Sequence, residues 1–176
     1  MANTTKHLAR PLGKAMIVGM WVALLGLLTW YFGDFLDAQY NPNQQVATSI
    51  SEGGVAETVL RRNRYGHYVA TGEINATAVR FLVDTGASDV NIPANVAEKL
   101  ALKRGNAHYA STANGTITVY ATRLDTVRLG EIVVHDVRAS INPHMPGEDI
   151  LLGMSFLKDL ELAQRGDKLS LRQYRR

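Results

Sequence analysis

The stretch that decides the fold is FLVDTGASDVNIP, residues 81–93. An apolar run leads to one aspartate, Asp84, and threonine, glycine and a second apolar run follow it. VRFLV, directly before the aspartate, has the composition of a buried strand. Gly86 allows the backbone to turn sharply just after Asp84. The pattern therefore predicts a carboxylate on a tight loop that leaves the end of a buried strand.

Three interpretations of Asp84 are open from these residues. Aspartate and glycine are common in ordinary turns, so a plain turn is the simplest interpretation. A phosphate-handling aspartate would need a second acid two residues on or a lysine-bearing continuation, and Gly86 and Ala87 provide neither. The third interpretation is the acid–base aspartate of a carboxyl protease. The tripeptide Asp-Thr-Gly alone does not decide among them, because it also arises by chance.

The sequence from Glu57 onward has the pattern of a β domain. Short apolar runs rich in β-branched residues alternate with turn residues, which is typical of strands. Eight segments have this pattern: ETVLRR, HYVATGEI, TAVRFLV, DVNIP, TITVYATRLDTVRLG, EIVVHDVRASI, DILLG and DKLSLRQ. NVAEKLAL (95–102) and MSFLKDL (154–160) predict short helices. The sequence thus predicts a mainly β domain over residues 57–176 with one or two short helices.

Two turns between these strands are explicit. Asn114-Gly115 lies between YASTA and TITVY, which is a strong hairpin signal. Arg165-Gly166-Asp167 lies between LELAQ and KLSLR. This second tripeptide invites an adhesion interpretation, but a strand connector is the better explanation of it. The following KLSLR strand could either join a sheet between two copies of the chain or close the single copy.

FLVDTGAS resembles the active-site loop of the retropepsin-like aspartic proteases, and the resemblance extends beyond the loop. GHYVATGEINATAVRFLVDTGAS, STANG, DILLGMSFL and LSLR follow one another in the order and spacing of the membrane-anchored bacterial members, over about residues 57 to 173. Ile150 to Gly153 matches the second hydrophobic-hydrophobic-glycine motif, which precedes a short helix in such folds. The resemblance implies a retropepsin-like acid protease barrel, equivalent to half of a pepsin.

The resemblance also implies a role for each part of the site. Asp84 would be the catalytic carboxylate. Three residues would support it within the loop: Thr85, Gly86 and Ala87. A flap over the substrate would carry Thr112, Ala113, Asn114 and Gly115 at its tip. The hydrophobic-hydrophobic-glycine motif would pack behind the loop through Leu151, Leu152 and Gly153. Thr85 would form a hydrogen bond across a dimer, beneath the active site.

A chain with one Asp-Thr-Gly cannot complete this chemistry alone. Aspartic proteases use two carboxylates about 3 Å apart that share a proton. The other candidate acids (Asp89, Asp125, Asp136 and Asp149) are not followed by Thr-Gly. We therefore expect a homodimer in which two copies of Asp84 meet at a two-fold axis and activate water to hydrolyse peptide bonds, with no cofactor. The alternative is a catalytically silent binding or adaptor module of the same fold at the membrane.

The N-terminus predicts a membrane anchor. AMIVGMWVALLGLLTWYFG, residues 15–33, has no charged residue and would form a helix of roughly 28 Å, about one hydrocarbon core. Lysines and an arginine occur in the tail, residues 1–14, while Asp34 and Asp37 follow the span, so the positive-inside rule keeps the tail in the cytoplasm. A cleaved signal peptide competes, but this run exceeds the usual apolar length of about 7 to 15 residues.

The expected location is therefore the cell inner membrane. The chain would cross it once, with the protease domain in the periplasm. Residues 34–56 are polar, with little periodicity, and predict a linker that could include a short helix.

The amino-acid composition excludes or disfavours several classes of function. The chain has no cysteine, which excludes disulfides, thiol nucleophiles and cysteine metal sites. Its five histidines form no HExxH motif and no i, i+4 pair, so no metal site is predicted. Beyond residue 33 there are sixteen basic and sixteen acidic residues. A nucleic-acid-binding domain normally carries an excess of basic residues, so this formally neutral part of the chain does not predict nucleic-acid binding. The expected partners are a second copy, a peptide or protein substrate, and the membrane.

Overall fold

The computed structural model describes residues 5–51, 53–112 and 115–174, with side chains from residue 13 onward. The chain divides into two compact units, Met1–Gln39 and Tyr40–Arg176. The described residues of the first unit, 5–39, all belong to helix α1 (Thr5–Tyr40), and Tyr40, its last residue, is assigned to the second unit.

Helix α1 extends beyond the predicted span of residues 15–33 at both ends. The segment DFLDAQY contains no glycine or proline, so the helix continues to Tyr40, and Pro42 then disfavours helical backbone at Asn41. Among the described residues, one helix is long and apolar enough to cross a bilayer, over Gly13–Tyr40, and none of its apolar window is buried. Length and composition of this kind suit a membrane span and also a signal sequence.

The second unit is mainly β, as the sequence predicts. Its described residues form two short helices, α2 (Ala94–Lys99) and α3 (Met154–Leu157). They also form eleven strands: β1 (Ala47–Ile50), β2 (Ala56–Arg61), β3 (Val69–Ile74), β4 (Thr77–Val83), β5 (Val90–Pro93), β6 (Ala107–Thr112), β7 (Gly115–Leu129), β8 (Ile132–Asn142), β9 (Ile150–Leu152), β10 (Glu161–Arg165) and β11 (Lys168–Gln173). Both helices are shorter than predicted. Ala101 takes a left-handed φ of 51°, which prevents α2 from continuing to residue 102.

Six strands close into a barrel. The larger sheet has the order β3-β4-β9-β5-β8-β7-β6, and β3 pairs with β7 as well as with β4. The ring β3, β4, β9, β5, β8 and β7 is therefore complete, while β6 pairs with β7 at the end of the sheet and lies outside the ring. Large side chains without solvent exposure fill the core, among them Phe81, Ile92, Leu124, Ile141 and Phe156. Burial of such side chains is the main stabilising contribution to a domain of this size.

Strand β9 lies between β4 and β5, which are consecutive along the chain. It runs parallel to β4, with Phe81 opposite Ile150 and Val83 opposite Leu152. It meets β5 at a single pair, Asn91 and Leu151. The segment that joins β4 to β5 must therefore pass over the end of β9. This arrangement brings the Asp-Thr-Gly loop and the hydrophobic-hydrophobic-glycine motif together although about 65 residues separate them in sequence.

A second sheet covers the barrel with the order β1-β2-β11-β10. The C-terminal KLSLR strand, β11, lies in its centre and pairs with β2 and β10 of the same chain. The Arg165-Gly166-Asp167 segment turns the chain from β10 into β11, with Arg165 opposite Lys168 and Gly166 at a φ of 60°. Leu169 and Leu171 are buried in the hydrophobic core, so β11 completes the sheet of its own chain.

The segment interpreted from sequence as a linker, residues 34–56, differs in the structure. Its first residues continue α1, and Ala47–Ile50 forms strand β1. Between them Asn43 is almost fully buried. Its amide nitrogen donates to the carbonyl oxygens of Arg61 (2.9 Å) and Val69 (2.7 Å), and its side-chain oxygen accepts from the Arg61 N–H (2.7 Å). These long-range bonds are invisible in a polar, aperiodic sequence, and they explain why the second unit begins at Tyr40 rather than at residue 57.

Candidate active site

Asp84 follows the last residue of β4 and opens the loop to β5. Its backbone N–H donates to the Leu152 carbonyl oxygen at 3.2 Å, which ties the start of the loop to β9. Its carboxylate oxygen Oδ1 accepts from the Gly86 N–H at 2.9 Å, and its carbonyl oxygen accepts from the Ala87 N–H at 3.3 Å. The side chain is half-buried. The loop therefore fixes the carboxylate through its own backbone while leaving it accessible.

The motif at the end of β9 supports this loop from beneath. The Met154 N–H donates to the Ala87 carbonyl oxygen (2.8 Å), and the Ser155 N–H donates to that of Ser88 (2.9 Å). A Cβ atom on Gly153 would lie 2.6 Å from the Ala87 carbonyl oxygen and 2.2 Å from that of Asp89. Only glycine permits so close an approach of two backbones.

Sequence reasoning missed Ser155, which joins three elements under the loop. Its buried hydroxyl donates to the Arg138 carbonyl oxygen on β8 at 2.7 Å. The same hydroxyl accepts from the Val90 N–H at the start of β5 at 3.0 Å. Asp89, the last residue of the loop, forms an ion pair with Arg138, with 3.2 Å between Oδ1 and Nη2. A serine within the first turn of a short helix is the available sequence signal, but the partners cannot be identified without the sheet order.

Replacing Ser155 by alanine should lower the free energy of unfolding by about 1 to 3 kcal/mol, because the Val90 N–H would stay buried without a partner. Chemical denaturation of the full-length protein measures this loss. Ser170→Ala on β11 is the matched control, since the Ser170 hydroxyl has no hydrogen bond among the described residues. The control should lose less than about 0.5 kcal/mol. Equal losses in both variants would contradict the assigned role of Ser155.

The other predicted loop residues lie around Asp84. Thr85 and Gly86 are exposed, and Ala87 is half-buried. Behind them Leu152 and Gly153 are buried, while Leu151 is partly exposed. The hydrogen bond expected from Thr85 to a second chain stays a prediction, and the exposure of Thr85 leaves its side chain available for one.

The predicted flap corresponds to the hairpin of β6 and β7. Thr112 pairs with Gly115 at its tip, and the Thr112 hydroxyl donates to the Gly115 carbonyl oxygen at 2.8 Å. Ala113 and Asn114, the other two predicted flap residues, lie outside the described residues. Tyr109 on β6 is 82% exposed, so the hairpin extends away from the core.

The described residues include no cluster of three or more histidine, aspartate or glutamate side chains that could hold a metal ion. Nor does Asp84 form an ion pair there, in contrast to Asp89. The candidate site thus presents one accessible carboxylate on a braced loop at the end of β4. Its chemistry would be that of a proton donor or acceptor.

Known proteins resemble this chain in both sequence and fold. Residues 70–159 match the family described as "gag-polyprotein putative aspartyl protease". A crystal structure of a retropepsin-like aspartic protease from Rickettsia conorii is 27% identical, with a TM-score of 0.55, and the match covers 73% of this chain and 95% of that one.

Two curated bacterial proteins are also similar. The "Uncharacterized protein in cobV 5'region" of Sinorhizobium sp. is 34% identical over 145 residues, which are 80% of this chain and 62% of that protein. "Uncharacterized protein RP867" of Rickettsia prowazekii (strain Madrid E) is 31% identical over 110 residues, which are 59% of this chain and 46% of that protein. The chain therefore spans less than two thirds of the length of either relative.

The family match covers half of the chain and includes β4, the Asp84 loop, the β6–β7 hairpin, β9 and α3. The Rickettsia conorii structure shares the fold over nearly its whole length. Both findings confirm the resemblance expected from the Asp-Thr-Gly loop and the downstream glycine motif. This chain belongs to the gag-polyprotein-type aspartyl protease family and has the retropepsin-like fold.

Proposed function

We propose that this protein is a membrane-anchored aspartic endopeptidase that acts as a homodimer through Asp84 and the partner's Asp84. The observation that carries the proposal is the single Asp-Thr-Gly loop, which holds one accessible carboxylate at the end of β4. Membership of a peptidase family supports hydrolysis of peptide bonds. A two-fold axis beside the loop would supply the second carboxylate from an identical residue.

The chemistry follows from the pair of carboxyl groups. At close range the two groups share one proton, because both cannot be ionised together. The ionised carboxylate takes a proton from a bound water molecule, whose oxygen then attacks the carbonyl carbon of the substrate. The protonated carboxyl group gives its proton to the carbonyl oxygen. Transfer of a proton to the amide nitrogen then breaks the carbon–nitrogen bond and releases two peptides.

The proposed location follows from helix α1. Lys6, Arg10 and Lys14 precede its uncharged stretch, and acidic residues follow that stretch. The positive-inside rule then places the N-terminus in the cytoplasm and the second unit in the periplasm. An anchor confines the chains to a surface, which raises their effective concentration and favours pairing.

The first test is cleavage itself. Full-length protein in detergent, incubated with an unfolded protein between about pH 4 and 7, is expected to produce new peptide termini, because acid–base catalysis needs one protonated and one ionised carboxyl group. Mass spectrometry of the products would identify the cleaved bonds. Binding of the unfolded protein without any cleavage, under conditions where the chain is dimeric, would support the alternative of a silent binding module.

Mixing wild-type and Asp84→Asn chains tests whether two chains share one site. After random exchange at equal amounts, activity should fall to about one quarter of that of the same total amount of wild type, because only wild-type pairs have both carboxylates. A decrease to about one half would mean that each chain acts alone, which would contradict the shared site. Crosslinking of differently tagged chains provides the control that exchange has occurred.

A further inference from the structure

The outer face of the four-stranded sheet carries two rows of charged residues. One row pairs opposite charges, and the other contains positive charges alone. In one row Arg172 on β11 lies between Glu57 on β2 and Glu161 on β10. Its guanidinium group contacts both, with Nε 3.0 Å from Glu57 and Nη1 3.2 Å from Glu161. The hydrogen bond with Glu57 is the largest contribution that raises the pKa of Arg172 above its ordinary value. In this row the positive charge of Arg172 is therefore balanced by the neighbouring carboxylates.

The second row lies at the other end of the same three strands. Arg61 on β2 is directly opposite Lys168 on β11, which is directly opposite Arg165 on β10. All three side chains are exposed and have no ion pair within the described residues. Like charges opposite each other in adjacent strands destabilise a sheet. Repulsion within the row of three positive charges therefore lowers the stability of the isolated protein, whereas the neighbouring Glu-Arg-Glu row has no such repulsion.

More cationic and aromatic surface adjoins this row. The turn after β2 carries Arg62 and Arg64, both exposed, and the Arg64 guanidinium lies 5.1 Å from the centre of the Tyr65 ring. Tyr65 is 58% exposed. Exposed tyrosine beside arginine and lysine is typical of surfaces at the boundary between a membrane and water. We call Arg61, Arg62, Arg64, Tyr65, Arg165 and Lys168 the basic patch.

The basic patch adjoins the point where the chain leaves α1. The Tyr40 and Tyr65 rings are 6.3 Å apart, and Asn63 donates to the Tyr40 carbonyl oxygen at 2.9 Å. Asn43, three residues after the helix, bonds both backbone groups of Arg61. The uncharged stretch of α1 ends at Gly33, seven residues before Tyr40 along the chain. Charges connected to an anchor by so short a segment would stay near an anionic bilayer surface, which attracts basic side chains.

We infer that the basic patch binds anionic phospholipid headgroups and holds the second unit against the bilayer in which α1 is anchored. Lipid phosphates would supply the negative charge that the Arg61, Lys168 and Arg165 row lacks. Tyr65 would lie at the headgroup level. The inference rests on the anchoring part of the proposed function and is independent of catalysis.

The absence of cysteine allows a clean test with single labels in the full-length chain. His67→Cys beside the patch and His108→Cys on β6 would each carry an environment-sensitive dye, in nanodiscs of phosphatidylcholine alone or mixed with phosphatidylglycerol. The dye at position 67 should shift to the blue, and headgroup-labelled quencher lipids should quench it, only with phosphatidylglycerol and less at high salt. The dye at position 108 should respond in neither lipid.

Two matched variants separate the patch from total charge. Each basic side chain near an anionic surface contributes about fivefold, so the triple change Arg61→Gln, Arg165→Gln and Lys168→Gln should lower the ratio of docked to undocked protein by about a hundredfold. The control triple Lys103→Gln, Arg104→Gln and Arg123→Gln removes the same net charge elsewhere. It should change the ratio by less than about twofold.

Several results would overturn the inference. The first is a response of the position 67 dye with phosphatidylcholine alone that equals its response with phosphatidylglycerol present. The second is an equal decrease of the ratio of docked to undocked protein in both triple variants. The third is aggregation of the patch variant without any lipid response, which would assign the row to protection of the edge strand β10. Failure of the anchor is recognised separately, because the chain would then not copurify with the nanodiscs.

Discussion

Replacing Asp84 by asparagine is expected to lower the rate of peptide-bond cleavage by at least about a thousandfold. Asparagine has nearly the same shape, and its side-chain oxygen can still accept the Gly86 N–H that holds the carboxylate in place. It cannot exchange a proton with water or with a substrate carbonyl group. In a homodimer the substitution removes both carboxylates at once, so no residual acid–base pair remains. Initial rates with a fluorogenic peptide or an unfolded protein would measure the loss.

The matched control is Asp125→Asn, which neutralises an exposed carboxylate on β7 far along the chain from the loop. It should retain wild-type activity within about twofold. Both variants should unfold at the same temperature as the wild type, so a difference in rate cannot be attributed to folding. Cleavage at the wild-type rate by Asp84→Asn would contradict an active site built on this residue.

The sequence was sufficient for the parts of the fold that local chemistry determines. Short β-branched runs predicted eight of the eleven described strands, whereas β1 lies in the segment interpreted as a linker. The Arg165-Gly166-Asp167 segment is a turn because glycine accepts its left-handed backbone. The Asp-Thr-Gly loop together with Ile150 to Gly153 indicated the family that the comparisons confirm. In each case the signal lies within a few consecutive residues.

Features that depend on distant partners could not be read in this way. Asn43 resembles any linker asparagine until Arg61 and Val69 are seen around its amide group. Ser155 connects β5 and β8 beneath the loop, and its partners follow only from the insertion of β9 between β4 and β5. The basic row on the outer sheet likewise appears only when the register of β2, β11 and β10 is known. Long-range pairing, rather than composition, determines these contacts.

Replacing Gly153 by alanine is expected to destabilise the fold and also to lower the rate of the proposed cleavage. The added Cβ would lie 2.2 Å from the Asp89 carbonyl oxygen, which is backbone and cannot rotate away. The loop would have to move off β9, at a cost of about 3 kcal/mol or more in the free energy of unfolding. Movement of the loop by about 1 Å would also displace Asp84, and misplacement on that scale reduces rates by about a hundredfold. Chemical denaturation and initial rates per folded molecule measure the two effects.

Gly72→Ala separates the two effects because it clashes elsewhere. Its Cβ would lie 2.4 Å from the Arg128 carbonyl oxygen and 2.7 Å from the Phe81 ring, on β3 rather than under the loop. This variant should lose comparable stability yet keep its activity per folded molecule. Gly53→Ala should lose neither stability nor activity, because its Cβ would lie 3.9 Å from the nearest atom, the Ser51 hydroxyl oxygen. If Gly153→Ala retained the same activity per folded molecule as Gly72→Ala, Gly153 would be a packing residue only. A selective loss of activity in Gly153→Ala would instead mean that close backbone contact with β9 holds Asp84 in position for catalysis.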